Sequence, residues 1–214
     1  MKRWQLLLIL LAMTLPPVAG GAASAQRDFV AAARSEANVV HGEQLFQGCA
    51  NCHGPQGAGN SDDSVPRIAG QHPQVVIRQL VDYRHDRRLD PQMEAVAGRH
   101  QLQPADMTDL AAFIATLRPD IRAANGRGDF LQPGLAVYRS RCQSCHGRGA
   151  LGNDAGLVPR LAGQHYRYLL RQFHDALEGR RPLLAASHAM YWMDLDRDAL
   201  QGLADALSRM VEEP

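Results

Sequence analysis

Lysine is almost absent from this chain of 214 residues, because Lys2 is the only one. A positively charged docking surface must therefore be built from arginine, which is not interchangeable with lysine. A basic excess is missing as well. Without residues 1–25, which carry two basic side chains and no acid, 21 basic and 22 acidic side chains leave a net charge of −1. This balance argues against nucleic-acid binding, which needs a clustered positive surface.

Long apolar runs are also lacking. Residues 6–15 form a short apolar run after the basic start, and Ala23-Ser24-Ala25 then gives a small-x-small cleavage pattern. The run is too short to cross a bilayer comfortably, since a spanning helix needs about 20 apolar residues. The sequence predicts a signal peptide over residues 1–25, cleaved near Ala25. A leader that is kept as a membrane anchor is the alternative.

Spare cysteines are absent, because all four belong to two copies of the pattern Cys-x-x-Cys-His. This pattern is the attachment site of c-type haem. Two cysteines three residues apart lie on one helical turn, where each thiol can add to one vinyl group of a porphyrin, and the histidine can bind the iron. The sequence therefore predicts two covalent haem c groups, bound at Cys49, Cys52 and His53 and at Cys142, Cys145 and His146.

Two other interpretations of the paired cysteines have less support in the sequence. A thioredoxin-like dithiol needs a βαβ context, and nothing in the chain has the pattern of a β-strand. A four-cysteine zinc site fits the spacing, yet such a site needs no histidine after each pair. The haem interpretation also suits export, because c-type haem is attached outside the cytoplasm in bacteria and thiols are oxidised there. We therefore expect the protein in the periplasm.

The second half of the chain repeats the first at an offset of 93 residues. Residues 65–72 recur as residues 158–165 with a single Ile/Leu change, and both cysteine motifs obey the same offset. A period of this length indicates tandem domains rather than a solenoid. Each domain is small for an independent core, and covalent haem would supply apolar bulk. The predicted boundaries are 26–120 for the first domain, 121–132 for the linker and 133–214 for the second domain.

Helical patterns fill both domains. A helix containing Gly42 or Gly134 precedes each cysteine motif, and an amphipathic helix follows it, marked by Val76, Leu80 and Tyr83 and by Leu169, Phe173 and Leu177. The closing helix is predicted to begin at Pro104 in the first domain and after the N-cap Asp196 in the second. The sequence predicts an all-α protein.

The chain resembles the cytochrome c4 family, through the doubled Cys-x-x-Cys-His-Gly, the doubled Pro-Arg-(Ile/Leu)-Ala-Gly-Gln and the closing helices. The resemblance implies two tandem class I cytochrome c domains, each a small helical bundle around one covalently bound haem. It also implies that Pro66 and Pro159 offer their carbonyls to Nδ1–H of His53 and His146, which orients each ring. The family packs its domains as a pseudo-symmetric pair with the haem propionate edges facing each other.

The resemblance further implies a methionine as the sixth iron ligand, upstream of the closing helix. In the first domain Met93 is the predicted ligand. Met107 lies inside the closing helix and fits a core position better. His100 is a further alternative, although a histidine there is more typical of a surface.

The second domain departs from this pattern, because the offset carries Met93 onto Ala186. Measured back from the closing helix, the usual family methionine would fall on His188. Met190 lies two positions later, a displacement that a loop adjustment could absorb, and it is the predicted ligand. His188 and Met193 remain alternatives.

These features predict an electron carrier rather than an enzyme. By the resemblance, it would pass electrons between respiratory complexes, from a quinol–cytochrome c oxidoreductase to a terminal oxidase or reductase, with loose membrane association as an option. A haem subunit of a periplasmic dehydrogenase complex is the alternative. A dihaem peroxidase or reductase is less favoured, because only the uncertain sixth ligand of the second domain supports an open iron site.

Overall fold

The structure is a computed structural model, which describes residues 19–60, 62, 64–98, 101–118 and 123–211. Residues 1–18 of the predicted signal peptide, His100 and the first two residues of the predicted linker lie outside these ranges. The described residues form helices and loops, with one isolated bridge between Asn153 and Val158 and no strand. The all-α prediction is therefore confirmed. Among the same residues, no helix combines the length and apolar character needed to cross a membrane.

Apart from α1, the helices of the first half have counterparts in the same order in the second half. The first half contains α1 (Ala19–Arg34), α2 (Val39–His53), α3 (Pro73–Arg84), α4 (Pro91–Ala97) and α5 (Pro104–Thr116). The second half contains α6 (Leu131–Val137), a π-helical turn (Tyr138–Cys142), α7 (Gln143–His146), α8 (Tyr166–Leu177), α9 (Pro182–Trp192) and α10 (Arg197–Arg209). The buried apolar side chains form two separate clusters, one in each half.

The two closing helices begin where the sequence predicts. Pro104 is the first residue of α5, and the Asp196 carboxylate caps α10 by accepting a hydrogen bond of 2.8 Å from the Ala199 N–H. In the second domain, Leu169 and Phe173 of α8 are buried as expected, but Leu177 is 46% exposed. Leu177 is the last residue of α8.

Glycines allow the closest helix contacts in each domain. A Cβ atom on Gly42 in α2 would lie 2.0 Å from the Asp109 carbonyl oxygen in α5. A Cβ atom on Gly134 in α6 would lie 2.0 Å from the Gly202 carbonyl in α10. Only glycine permits two helix backbones to approach this closely. The helix before each cysteine motif is therefore fixed against the closing helix of its domain.

Helix α1 was not predicted, because its alanine-rich start belongs to the predicted leader. Ala25 and Ala32 are fully buried, and Thr108 Oγ donates a hydrogen bond of 2.7 Å to the Ala32 carbonyl. Asp28 pairs with His85 Nε2 at 2.8 Å. The predicted cleavage near Ala25 thus falls within a helix that packs on the first domain.

The two domains contact each other through equivalent pairs of residues. Gln71 accepts a hydrogen bond of 2.9 Å from the Arg160 N–H and donates one of 3.0 Å to its carbonyl. Gln164 makes the corresponding bonds with Arg67, at 2.9 and 2.7 Å. Because each glutamine bonds the backbone of the opposite domain, the arrangement has approximate two-fold symmetry. This contact brings the two cysteine motifs to a common cavity.

Candidate haem centres

The first cysteine motif occupies the last turns of α2. Helical spacing puts Cys49 and Cys52 on one turn, and His53 is the final residue of the helix. Gly54 then turns the chain with φ 76°, and its N–H bonds the Ala50 carbonyl at 2.9 Å. His53 is buried, and its Nδ1 donates to the Pro66 carbonyl oxygen at 3.0 Å. The Nε2 atom of His53 is therefore the nitrogen that remains for a metal.

The second motif has the same geometry on a different local helix. Cys142 ends the π-helical turn, and α7 carries Cys145 and His146. Gly147 turns the chain with φ 79°, as Gly54 does in the first domain. His146 is buried, and its Nδ1 donates to the Pro159 carbonyl at 3.1 Å. Both motif histidines thus have the same tautomer, fixed by the carbonyl of a proline thirteen residues later.

A backbone loop holds each proline in place. The Gly57 carbonyl accepts from the N–H groups of Ile68 and Ala69 at 2.8 and 3.0 Å. In the second domain, the Ala150 carbonyl accepts from Leu161 and Ala162 at 2.8 and 3.1 Å. The repeated Pro-Arg-(Ile/Leu)-Ala sequence therefore forms the same loop twice, and each copy positions one carbonyl beside one histidine.

Burial sets the protonation of these groups. It lowers the pKa of His53 and of His146, while the hydrogen bonds to the proline carbonyls act in the opposite direction. A neutral imidazole is the form that binds a metal ion. Burial also raises the pKa of the Cys49 thiol, and it raises the pKa of the Cys142 thiol to about 11.

One cavity of about 620 Å³ connects the two motifs. Both cysteine pairs and both motif histidines line it, together with apolar side chains from the two domain cores: Val76, Leu80, Leu110 and Ile114 from the first, and Leu169, Phe173, Leu203 and Leu207 from the second. An apolar wall with a metal-binding nitrogen in each domain fits a pair of haem groups.

Met93, the predicted sixth ligand of the first haem, lies at the cavity. It belongs to α4, lines the cavity and contacts the core of the first domain. Asp90 caps α4 by accepting from the Met93 N–H at 3.2 Å. Met107 is fully buried in the core and does not line the cavity. The structure thus brings Met93, rather than Met107, to the cavity.

In the second site, the structure places Met190 away from the cavity, contrary to the prediction. Met190 is 71% exposed and Met193 is 74% exposed, and neither lines the cavity wall. The segment is not an adjustable loop, because residues 182–192 form α9. His188 does line the cavity, and its ring centroid lies 6.2 Å from that of His146.

Arg88, which is buried, and Arg181, which is half-buried, line the cavity shared by the two sites, and the sequence alone does not predict a role for them. Arg88 donates to Tyr168 Oη at 2.7 Å and to Gln172 Oε1 at 2.8 Å. Arg181 donates to Gln172 Oε1 at 2.9 Å and to Gln79 Oε1 at 3.1 Å. Within the described ranges, neither arginine forms an ion pair with a carboxylate. Their equivalence was visible in the repeat, where Arg87-Arg88 recurs as Arg180-Arg181.

The charge of Arg181 is costly unless an anion accompanies it, whereas Tyr168 and Tyr83 oppose the effect of burial on Arg88 and its pKa is raised. Burial, followed by the nearby Arg88 guanidinium, lowers the pKa of Arg181 to about 10. Both arginines line the shared cavity. A haem group carries two carboxylates on one edge, so a haem in each domain would bring anions to this position. The residues present therefore fit two haem groups in chemistry as well as in shape.

The four-cysteine zinc site has no counterpart in the described part of the chain. There, His, Cys, Asp and Glu side chains form no group of three or more that could hold a metal ion. The two cysteine pairs instead belong to separate domains, each beside its own histidine.

Comparison with known proteins agrees with this geometry. The cytochrome c model matches residues 39–118, and the model of the cbb3-type cytochrome c oxidase subunit III matches residues 130–205. Cytochrome c4 from Thiocapsa roseopersicina is 35% identical over 166 residues, which cover 71% of this chain and 83% of that protein. A thiosulfate dehydrogenase electron acceptor from Stutzerimonas stutzeri (strain A1501) is 33% identical over 62% of this chain and 64% of its own length.

A solved structure shows the same fold. Reduced recombinant cytochrome c4 from Pseudomonas stutzeri superposes with a TM-score of 0.73 over 82% of this chain and 100% of its own, at 21% sequence identity. Two helical domains, each with a Cys-x-x-Cys-His motif at a shared cavity, define a two-domain c-type cytochrome with two covalent haem c groups. The chain belongs to the cytochrome c4 family. The predictions of family, fold class and cofactor are confirmed, and the protein is a dihaem electron carrier of this type.

Proposed function

We propose that this protein carries electrons in the periplasm between respiratory complexes, receiving them from a quinol–cytochrome c oxidoreductase and delivering them to a terminal oxidase or reductase. The observation that carries the proposal is the pair of equivalent His–Pro arrangements at one shared cavity. Two electron-storing groups at one cavity suit a carrier better than an enzyme with a substrate pocket. Residues 1–25 act as the export signal.

Cys49 and Cys52 would hold the first haem through thioether bonds, and His53 and Met93 would bind its iron. Cys142 and Cys145 would hold the second haem, and His146 would bind its iron. The haems supply one-electron storage, and the protein orients their ligands, excludes water and sets their potentials. Pro66 and Pro159 fix the ring orientation of the two histidines through their carbonyl groups.

A dehydrogenase is the second candidate donor. One relative is named as an electron acceptor of thiosulfate dehydrogenase, and it is 33% identical to this chain. That name favours the alternative in which a periplasmic dehydrogenase reduces this protein. The same haem pair would serve either donor, because docking depends on the surface around the haem edges rather than on the axial ligands.

Haem attachment is tested first, on protein secreted by a bacterial host that matures c-type cytochromes. Intact mass and haem staining after denaturing electrophoresis should give a chain without residues 1–25 that carries two haems. Cys142→Ala should weaken attachment in the second domain alone, because the two apolar cores are separate. Cys49→Ala is the matched variant for the first domain. A colourless product, or one with a single haem in the unchanged chain, contradicts the proposal.

The donor is identified by rapid mixing. The oxidised protein is mixed with reduced quinol–cytochrome c oxidoreductase or with thiosulfate dehydrogenase and thiosulfate, and haem reduction is followed optically. Fast, saturable reduction by the first supports the respiratory shuttle, whereas reduction by the second alone supports the dehydrogenase alternative. Turnover of a reducing donor with peroxide at enzymatic rates would instead indicate a peroxidase. Release from membranes by a salt wash tests loose association.

A further inference from the structure

We propose that the second haem iron is bound between two histidines, His146 and His188, rather than between a histidine and a methionine. The inference rests on the proposed function only in requiring a haem at the second motif. It makes the two halves of a duplicated protein chemically different. The first domain keeps the methionine Met93 at its cavity, whereas the second presents an imidazole.

The helical phase of α9 selects His188. A helix advances by about 100° per residue, so residues four apart share a face and residues two apart lie on nearly opposite faces. Leu184, His188 and Trp192 lie four residues apart, and all three line the cavity. Met190 is two residues from His188 and is correspondingly exposed. To bring Met190 to the iron, α9 would have to rotate by roughly half a turn.

Trp192 opposes such a rotation. Its side chain is only 5% exposed, and its ring centroid lies 5.3 Å from that of Phe173 in α8. The His188 ring lies 5.0 Å from the Trp192 ring on the same face. Turning Met190 inward would therefore take Trp192 out of the core of the second domain and replace it with solvent-facing side chains. The packing that buries Trp192 also holds His188 at the cavity.

The protonation of His188 leaves the correct nitrogen for iron. Ser187 Oγ lies 3.1 Å from the carbonyls of Leu183 and Leu184 and 2.7 Å from His188 Nδ1. With the hydroxyl donating to a carbonyl, its oxygen accepts from the Nδ1–H of His188. The Nε2 lone pair of His188 is then available, as it is in His146. Each of the two histidines thus has its Nδ1 proton engaged by the protein, as metal-bound histidines generally do.

The separation of the rings fits a single metal ion between them. With a metal–imidazole bond of about 2 Å, as in zinc–histidine sites, and a ring centre about 1.2 Å behind each nitrogen, two axial imidazoles have centroids about 6.4 Å apart. The centroids of His146 and His188 are 6.2 Å apart. The spacing of the two ring centres therefore matches that of two imidazoles bound to one iron.

Unequal ligands give unequal potentials. A methionine ligand favours ferrous iron and raises the reduction potential relative to histidine, so the second haem should have the lower potential of the two. An electron shared between the domains then resides mainly on the first haem. The duplicated chain would work as a directional pair, in which the second domain passes electrons to the first.

The test uses the intact holoprotein after its mass has shown two haems, so that failed haem attachment is distinguished from a wrong ligand. The oxidised protein should show the far-red methionine–iron band with the intensity of one haem per molecule, together with a bis-histidine electron paramagnetic resonance signal. Redox titration should resolve two steps, and the lower one should belong to the second domain. A band of two-haem intensity would overturn the proposal.

Variants assign the ligand. His188→Met should double the methionine band and raise the lower potential, and His188→Ala should let carbon monoxide bind the second reduced haem. Met190→Ala and Met193→Ala are the matched controls and should leave the band, the resonance signal and both potentials unchanged. Loss of the second-haem signature in Met190→Ala would contradict the proposal, even if His188→Ala fails to fold.

Discussion

At the scale of single residues, Pro66 and Pro159 act through their backbone carbonyl oxygens. A motif of side chains in the sequence does not reveal this role. Because a carbonyl only accepts, the contacts of 3.0 and 3.1 Å fix the proton of each motif histidine on Nδ1. The tautomer follows from the backbone, and a side-chain substitution at either proline would leave the oxygen present.

Met93→Ala tests the distal side of the first site. Because Met93 is the methionine at the cavity, we expect the variant to lose the far-red methionine band and to bind carbon monoxide at the first reduced haem. Optical titration with carbon monoxide measures both effects. Met107→Ala is the control. It should lower the free energy of unfolding by about 2–5 kcal/mol, as core truncations do, and leave the spectrum unchanged. A variant of Met93 that keeps the band would contradict the assignment.

Arg88→Gln tests the role of the arginine pair Arg88 and Arg181. A positive charge near iron stabilises the reduced state, because reduction adds a negative charge. Loss of the charge of Arg88, which lines the shared cavity, should lower both reduction potentials by an amount on the order of tens of millivolts. A spectroscopic redox titration measures the change. Arg148→Gln, an exposed position outside the cavity wall, should have little effect. Unchanged potentials in Arg88→Gln would show that the pair has only a structural role.

At the scale of helices, α4 and α9 decide which side chains reach the distal sides of the two sites. Neither helix was predicted, because α4 has only seven residues and the segment of α9 was interpreted as a loop. Both begin with a proline, at Pro91 and Pro182, which is a common first helical residue. Pro182 is thus a sequence signal for the start of α9. A helix in this segment would place Met190 and His188 on nearly opposite faces.

Gly42→Ala tests the contact between α2 and α5. The added Cβ would lie 2.0 Å from the Asp109 carbonyl oxygen, so the helices must separate. We expect overpacking to lower the free energy of unfolding by about 1–3 kcal/mol. The better helix propensity of alanine raises it by at most about 1 kcal/mol, so the variant should be less stable. Thermal unfolding of the holoprotein measures the difference. Gln44→Ala, at an exposed position of the same helix, should change stability little. A stabilised Gly42→Ala variant would mean that the helices are farther apart.

At the scale of the whole molecule, the doubled Gln71 and Gln164 contacts join the domains through backbone atoms. His72 and His165 add a second symmetric pair, with Nε2 donating to the Leu151 carbonyl at 2.8 Å and to the Ala58 carbonyl at 2.7 Å. Both pairs come from the Gly-Gln-His end of the repeated motif. The duplication therefore supplies the interface as well as the two sites, since each copy binds the other.

The double variant Gln71→Ala/Gln164→Ala tests this interface. It removes six hydrogen bonds, four between the domains and one to the N–H of each following histidine. Backbone groups of Arg67 and Arg160 lose these partners. Each buried group left unsatisfied costs about 1–3 kcal/mol. We expect calorimetry to show two separate unfolding transitions in place of a coupled one. Gln132→Ala, on an exposed face of α6, is the control. A single unchanged transition would show that other contacts couple the domains.

The sequence by itself determined the features whose chemistry is local in the chain. The spacing of Cys49, Cys52 and His53 specifies haem attachment within one helical turn, and the offset of 93 residues reveals the second domain. Pro104 and Asp196 mark the closing helices, because helix starts depend on neighbouring residues. The position of Met93 before the first closing helix predicts it as the sixth ligand of the first haem, and Met93 lines the cavity.

Only the tertiary structure decided which residue of the second domain faces His146. That choice depends on the rotation of α9 about its axis, which the burial of Trp192 against Phe173 fixes. The meeting of Arg88 with Arg181 likewise required the packing of one domain on the other. Phe173 and Trp192 are 19 positions apart and Arg88 and Arg181 are 93 apart, and the energies of both contacts depend on shape and burial. Neither quantity can be read from residue spacing along the chain.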